Sequence, residues 1–178
     1  MTVPRVELTD DELREGLTAC LAVPRWVDEV VAAAPFASLL ALTDAAAAAA
    51  NPLTPEEVDQ ALSHHPRIGE RPVGTGTAPA FSRAEQAASA STDTDLAEAL
   101  AAGNRAYEER FGRVFLIRAA GRSRPEILAE LQRRLELDDE TEIAIVASEL
   151  RDIALRRIPQ LFGHLDHHSG YNDVEAAE

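Results

Sequence analysis

Apolar residues recur along this chain at the spacing of a helix rather than a strand. The clearest run is Ile143, Val146, Ala147, Leu150, Ile153, Ala154, Ile158 and Leu161, whose steps of three and four lay one stripe along a single cylinder. Alternating β-branched runs, the mark of half-buried strands, are nearly absent. Helix starts are written as Ser or Thr followed three positions later by Glu, a pair that satisfies two orphan backbone N–H groups reciprocally. Thr9/Glu12, Thr54/Glu57, Ser82/Glu85 and Ser123/Glu126 all have this form. Pro55 follows its cap at the first helical position, where a missing N–H costs nothing, and Pro24 opens another helix in the same way. The pattern predicts an all-α fold, a single-domain bundle of about eight helices over 10–20, 24–33, 36–50, 55–64, 83–90, 95–110, 125–136 and 140–162. The alanine run 45–50 continues the Phe36, Leu39, Leu40, Leu42 pattern and reads as close-packed helix rather than low complexity.

Two stretches interrupt the pattern. Between His65 and Phe81, Pro66, Pro72 and Pro79 alternate with Gly69, Gly74 and Gly76, which demands a loop. Loops of that length inside a domain usually carry function or lack order. The short apolar segment Val114 to Ile117 follows Gly112 and reads equally as extended chain or as the end of a buried turn. The domain is expected over 1–165, with 166–178 a frayed tail.

Composition narrows the class. A chain of 178 residues buries roughly 70% of its unfolded surface in one domain, so no staples are needed. The single cysteine, Cys20, excludes a disulfide framework and a thiolate metal cluster, fits a reducing cytoplasm, and reads as core filler. Against 17 Lys and Arg stand 31 Asp and Glu, a net charge of −14 that repels nucleic acid and anionic membrane surfaces. The acidic start lacks the basic and apolar regions of a signal peptide, and no stretch reaches the ~18 apolar residues of a membrane span.

Within that frame a few polar residues fall where they should not. Arg157 lies seven positions from Leu150, a rotation of about −20°, so it shares the apolar stripe while Arg151 and Arg156 point away. A guanidinium on a buried face needs an anionic or carbonyl-rich partner, either an internal glutamate or a ligand. His65 stands at a helix-to-loop junction before Pro66, which biases it out of helical conformation. Its imidazole reads either as a cap on the preceding helix or as a general acid or base. Ser82 and Glu85 are explained by the capping box alone, and Gln86 reads either as a solvated helix residue or as a planar amide available for two hydrogen bonds. His164, His167 and His168 include an i,i+4 pair suited to a metal, but Gly163 argues against regular helix there, so no metal site is expected.

Four segments in order, HHPRIGE at 64–70, FSRAEQ at 81–86, GNRAYEERFGRVFLIRAAGR at 103–122 and ELRDIALRRIPQL at 149–161, resemble the 2-oxo-4-hydroxy-4-carboxy-5-ureidoimidazoline (OHCU) decarboxylase family. The resemblance runs from about residue 8 to 162. It implies a helical bundle, commonly dimeric, that decarboxylates OHCU to (S)-allantoin in urate catabolism without a cofactor. It implies His65, Glu85 and Arg157 as catalytic residues and Pro66, Ser82, Gln86, Phe115 and Ile117 as substrate-binding. This chain departs from the common A-G-L after E-Q, having AASA, and from FGFPF, having FGRVF, which bears on pocket shape. The rival readings are a non-catalytic acidic helical interaction protein and a metal hydrolase built on the C-terminal histidines. No nucleic acid or membrane partner is expected.

Overall fold

Three of the four Ser/Thr and Glu pairs cap helices as their spacing predicts. The computed structural model describes residues 8–63, 65, 67–68, 77, 80–81 and 94–163. Thr9, Thr54 and Ser123 each accept from the backbone three residues on, and each partner glutamate reaches back to the cap N–H. Ser82 and Glu85, with the helix expected over 83–90 and the tail 166–178, lie outside the described residues.

The described residues form seven bounded helices and no strand: α1 Asp10–Cys20, α2 Pro24–Ala32, α3 Leu39–Ala49, α4 Pro55–Leu62, α5 Thr94–Phe111, α6 Arg124–Leu135 and α7 Asp139–Phe162, with Thr77, Ala80 and Phe81 helical besides. Those three lie inside the stretch read as loop and ahead of the start expected at 83, and two further boundaries differ by more than a residue from the sequence expectation. Helix α3 begins at Leu39 rather than 36, because the Ser38 hydroxyl accepts from Ala41 N–H and fixes the start. Helix α4 ends at Leu62 rather than 64, where Ser63 N–H returns to Asp59 O and His65 N–H to Leu62 O. None of these helices is long and apolar enough to cross a membrane.

Buried side chains gather into two clusters. The first joins α1, α2, α3, α4 and α7 around Leu17, Trp26, Leu42, Val58, Leu150 and Ile158. The alanine run serves it directly: fully buried Ala46 leaves room for Trp26, whose indole N–H donates to the Ala46 carbonyl at 2.8 Å. Gly16 brings α1 onto the end of α7, since an added Cβ would lie 2.4 Å from the Phe162 ring. Cys20 is buried in the same cluster, as a small hydrophobe.

The second cluster joins α5 and α6 around Leu100, Tyr107, Phe115, Ile117, Ile127 and Leu131. Gly103 permits the approach of these helices, because a Cβ there would meet Leu131 Cδ2 at 2.5 Å. Gly112, at φ 69°, ends α5 in the left-handed conformation that favours glycine and turns the chain into the apolar segment. That segment is non-helical and runs between the clusters. Val114 and Leu116 face the first, Phe115, Ile117 and Ala119 the second, the period of an extended chain.

A fully buried ionic group locks this arrangement. The Arg134 guanidinium pairs with Glu142, its Nε 2.9 and 3.0 Å from the two carboxylate oxygens, and its Nη1 donates to the Leu116 carbonyl at 2.8 Å. Tyr107 donates its hydroxyl to the same carboxylate. Burial and the adjacent carboxylate push the Tyr107 phenol well above its ordinary value, so it stays protonated and able to donate. Phe115 lies against the guanidinium, 4.7 Å from ring centroid to Cζ. One group thereby ties α5, α6, α7 and the extended segment together.

Candidate active site

The histidine corner is built by the end of α4. His65 is half-buried, and its Nδ1 lies 2.9 Å from the Ala61 carbonyl one helical turn back. A carbonyl oxygen only accepts, so Nδ1 carries the proton and Nε2 holds the lone pair of the neutral ring. Nε2 is shielded from solvent. The capping role weighed for this residue is therefore present, and it determines which nitrogen is basic.

Arg157 is buried on the inner stripe of α7, 2% exposed, whereas Arg156 is exposed. Its Nη1 reaches the Cys20 carbonyl at the end of α1 at 3.4 Å, and its guanidinium lies over the Phe81 ring, 5.4 Å from the centroid. Phe81 is itself buried and directly precedes Ser82. The inward arginine is thus brought to the residue that opens the FSRAEQ segment. Pro66, Ser82, Glu85 and Gln86 lie outside the described residues, as do His164, His167 and His168. Among the described residues no group of three His, Cys, Asp or Glu side chains could hold a metal ion.

Phe115 and Ile117 are buried with their side chains in the second cluster rather than around Arg157. What the segment presents elsewhere is backbone, and that backbone is fixed at two points. Arg134 holds the Leu116 carbonyl, and Glu149 on α7 accepts from Arg118 N–H at 2.7 Å. The backbone of this segment therefore holds its donors and acceptors in set positions.

Sequence reasoning passed over Phe81 and Asn104 as individual residues. Asn104 is buried in the middle of α5 and donates from Nδ2 to the Ile68 carbonyl at 3.0 Å, three residues beyond His65. Its signal was available: Leu100, Asn104, Tyr107 and Phe111 follow a helical stripe with one polar member, the same test that singled out Arg157.

The described residues thus form an all-helical domain with an imidazole held in one tautomer and a buried guanidinium on an inner stripe, the fold and residue set of a small helical enzyme domain rather than of a metal or nucleic-acid site. The OHCU decarboxylase family model matches residues 6–159, and the chain belongs to that family. Among curated relatives it is similar to the uric acid degradation bifunctional protein TTL of Arabidopsis thaliana, 28% identical over 88% of this chain and 48% of that protein. It is similar also to the OHCU decarboxylases of Mus musculus, 35% identical over 60% of this chain and 61% of that protein, and of Haloferax volcanii, 29% over 87% and 92%. The chain thus spans 48% and 61% of the plant and mouse relatives but nearly all of the archaeal one. A crystal structure of OHCU decarboxylase in the presence of (S)-allantoin superposes with a TM-score of 0.72 at 25% identity, covering 88% of this chain and 99% of that one. A structure of (S)-allantoin synthase has a TM-score of 0.63 at 16% identity, covering 88% and 52%, and shares the fold.

Proposed function

We propose that this protein converts OHCU to (S)-allantoin and CO2, with His65, Glu85 and Arg157 as its working residues. The observation that carries the proposal is that the family match spans both the tautomer-fixed His65 and the buried Arg157.

In the substrate, the carbon that loses CO2 bears a hydroxyl and adjoins a C=N bond of the ring. The electron pair of the breaking C–C bond flows into that C=N, so the substrate supplies its own electron sink. The protein must orient the carboxylate perpendicular to the ring, stabilise charge moving onto the ring, and deliver a proton to one face. His65 Nε2 takes the hydroxyl proton as CO2 departs, which leaves a carbonyl at that carbon once the neighbouring carbon is protonated. The Ala61 carbonyl occupies Nδ1 and the substrate hydroxyl takes Nε2, so Glu85 works on the substrate itself. Protonation from one face sets the (S) configuration.

Arg157 grips a ring carbonyl or the ureido group rather than the departing carboxylate. CO2 is neutral, so a cation on the carboxylate would stabilise the ground state more than the transition state. Phe81, stacked on the guanidinium, keeps its plane fixed for bidentate contact. Pro66, Ser82 and Gln86, with the backbone of the Phe115 to Ile117 segment, complete the substrate contacts, and a homodimer in the cytoplasm is the working form.

The test couples urate oxidase and hydroxyisourate hydrolase to this protein and follows allantoin by circular dichroism. Wild type should accelerate appearance of one enantiomer. His65→Ala should abolish that acceleration while keeping the helical spectrum. A His65→Ala enzyme that forms (S)-allantoin at near-normal rate defeats the assignment.

A further inference from the structure

We infer that Asn104 is a positioning residue for the His65 imidazole, acting through the carbonyl of Ile68. The inference rests on the functional reading above, because it concerns the histidine placed there at the reacting hydroxyl. Asn104 is 6% exposed, and its Nδ2 donates to Ile68 O at 3.0 Å. Its Oδ1, also buried, meets no donor among the described residues. A position selected for packing alone would carry an apolar side chain and leave no acceptor stranded. The amide is held for its donor.

One helical turn further along α5, Glu108 accepts from Arg67 Nη2 at 2.7 Å and also from Arg67 Nε. Positions i and i+4 of one helix face therefore grip Arg67 and Ile68, the described residues that follow His65 most closely. Ile68 also rests against the second cluster, beside a cleft of ≈ 390 Å³ lined by Arg67, Ile68 and Asn104, so the two side-chain grips add direction to an apolar contact. On its other side the ring is held by the Ala61 carbonyl. The end of α4 thus sets the tautomer, while α5 sets where the loop carries the ring. Gly103, by letting α5 settle on Leu131, fixes the height at which Asn104 meets the loop.

Asn104→Leu tests this, with Asn104→Ala as a smaller replacement should leucine not fit, and with His65→Ala run in parallel. The folded variant should lose ~10–100-fold in kcat, the scale of an ångström misplacement of a catalytic group, with KM little changed. The pH limb belonging to the imidazole should stay in place, because the Nδ1 bond to Ala61 survives. By NMR the His65 ring nitrogens should broaden or split while the other ring signals hold. A folded variant with wild-type kcat and a sharp His65 ring signal overturns the inference, and so does failure of both variants to fold, which would make Asn104 a stability residue. If His65→Ala remains active, the functional reading fails instead, and the ring signal alone still decides whether Asn104 orders the loop.

Discussion

Two arginines are almost equally withdrawn from solvent in this protein, and the partners that the described residues give them differ. Arg134 is 0% exposed and is enclosed by a carboxylate, a carbonyl and an aromatic face, all supplied by segments of the fold it joins. Arg157, at 2% exposed, meets the Cys20 carbonyl at the longer distance of 3.4 Å and lies over the Phe81 ring. All 17 basic residues of the chain are arginine, so neither position can escape burial by giving up its proton, as a lysine would. Burial of a charge therefore does not by itself report a functional site. What separates the two among the described residues is that Arg134 joins three helices through a carboxylate and a carbonyl, whereas Arg157 meets a carbonyl and an aromatic ring.

The largest effect should come from breaking the joint. Arg134→Ala strands the fully buried Glu142 carboxylate and frees the Leu116 carbonyl, a loss of ~3–5 kcal/mol. At about 2–4 °C per kcal/mol for a domain of this size, the melting temperature should fall by roughly 6–20 °C in calorimetry. Replacing the whole group with Arg134→Met, Glu142→Leu and Tyr107→Phe removes the charges together and should cost less than the single change. A single variant within ~1 kcal/mol of wild type would show that the joint is not structural.

The second effect should fall on turnover. Arg157→Ala should lower kcat/KM by ~10²–10³-fold, the loss of a preorganised electrostatic contact, in the coupled allantoin assay. Its melting temperature should drop by less than that of Arg134→Ala. Arg157→Lys should not restore activity, because an ammonium lacks the planar fork and the stacking surface that Phe81 meets. If Arg157→Ala destabilises the protein as much as Arg134→Ala while each folded molecule retains full activity, the contrast between the two arginines collapses.

How far these roles were legible in the sequence follows from where each residue sits on its stripe. Arg157 is flanked by apolar positions on both sides in a long helix, so its inward direction was readable from spacing. Arg134 satisfies the same test, three and seven positions from Leu131 and Ile127, but it lies in the last turn of α6, where a basic residue is also explained by the helix dipole. Glu142 is masked likewise in the first turn of α7, four positions before Val146. Helix existence and three capping boxes were readable because they depend on local spacing. The start of α3 at Ser38, the tautomer of His65 and the grip of Asn104 on Ile68 were not, since the first competes with an apolar run and the others join residues 4 and 36 apart through one carbonyl each.

A third arginine sets the lower bound of the comparison. Arg25 is 45% exposed at its side chain and forks onto Glu57, with Nη2 3.0 Å from Oε2, while Glu57 also caps α4 by accepting from Thr54 N–H at 2.8 Å. The Arg25 hydrogen bonds, then the Thr54 N–H, hold the Glu57 carboxyl below its ordinary value of 4.5. A depressed folded value means that the unfolded chain takes up the proton first as pH falls. The stabilisation is therefore complete above about pH 5 and lost progressively as pH drops through the lowered folded value. With Arg25 half in water, the pair should contribute no more than ~1 kcal/mol. Glu57→Gln keeps an oxygen for the Thr54 cap and removes the charge, so urea titrations should show a small, constant deficit from pH 5 to 8 that closes toward zero at lower pH. A deficit that instead widens in acid would mean that Glu57 is buried as the neutral acid, and that α4, whose last turn holds the His65 ring through the Ala61 carbonyl, is held by something other than its arginine.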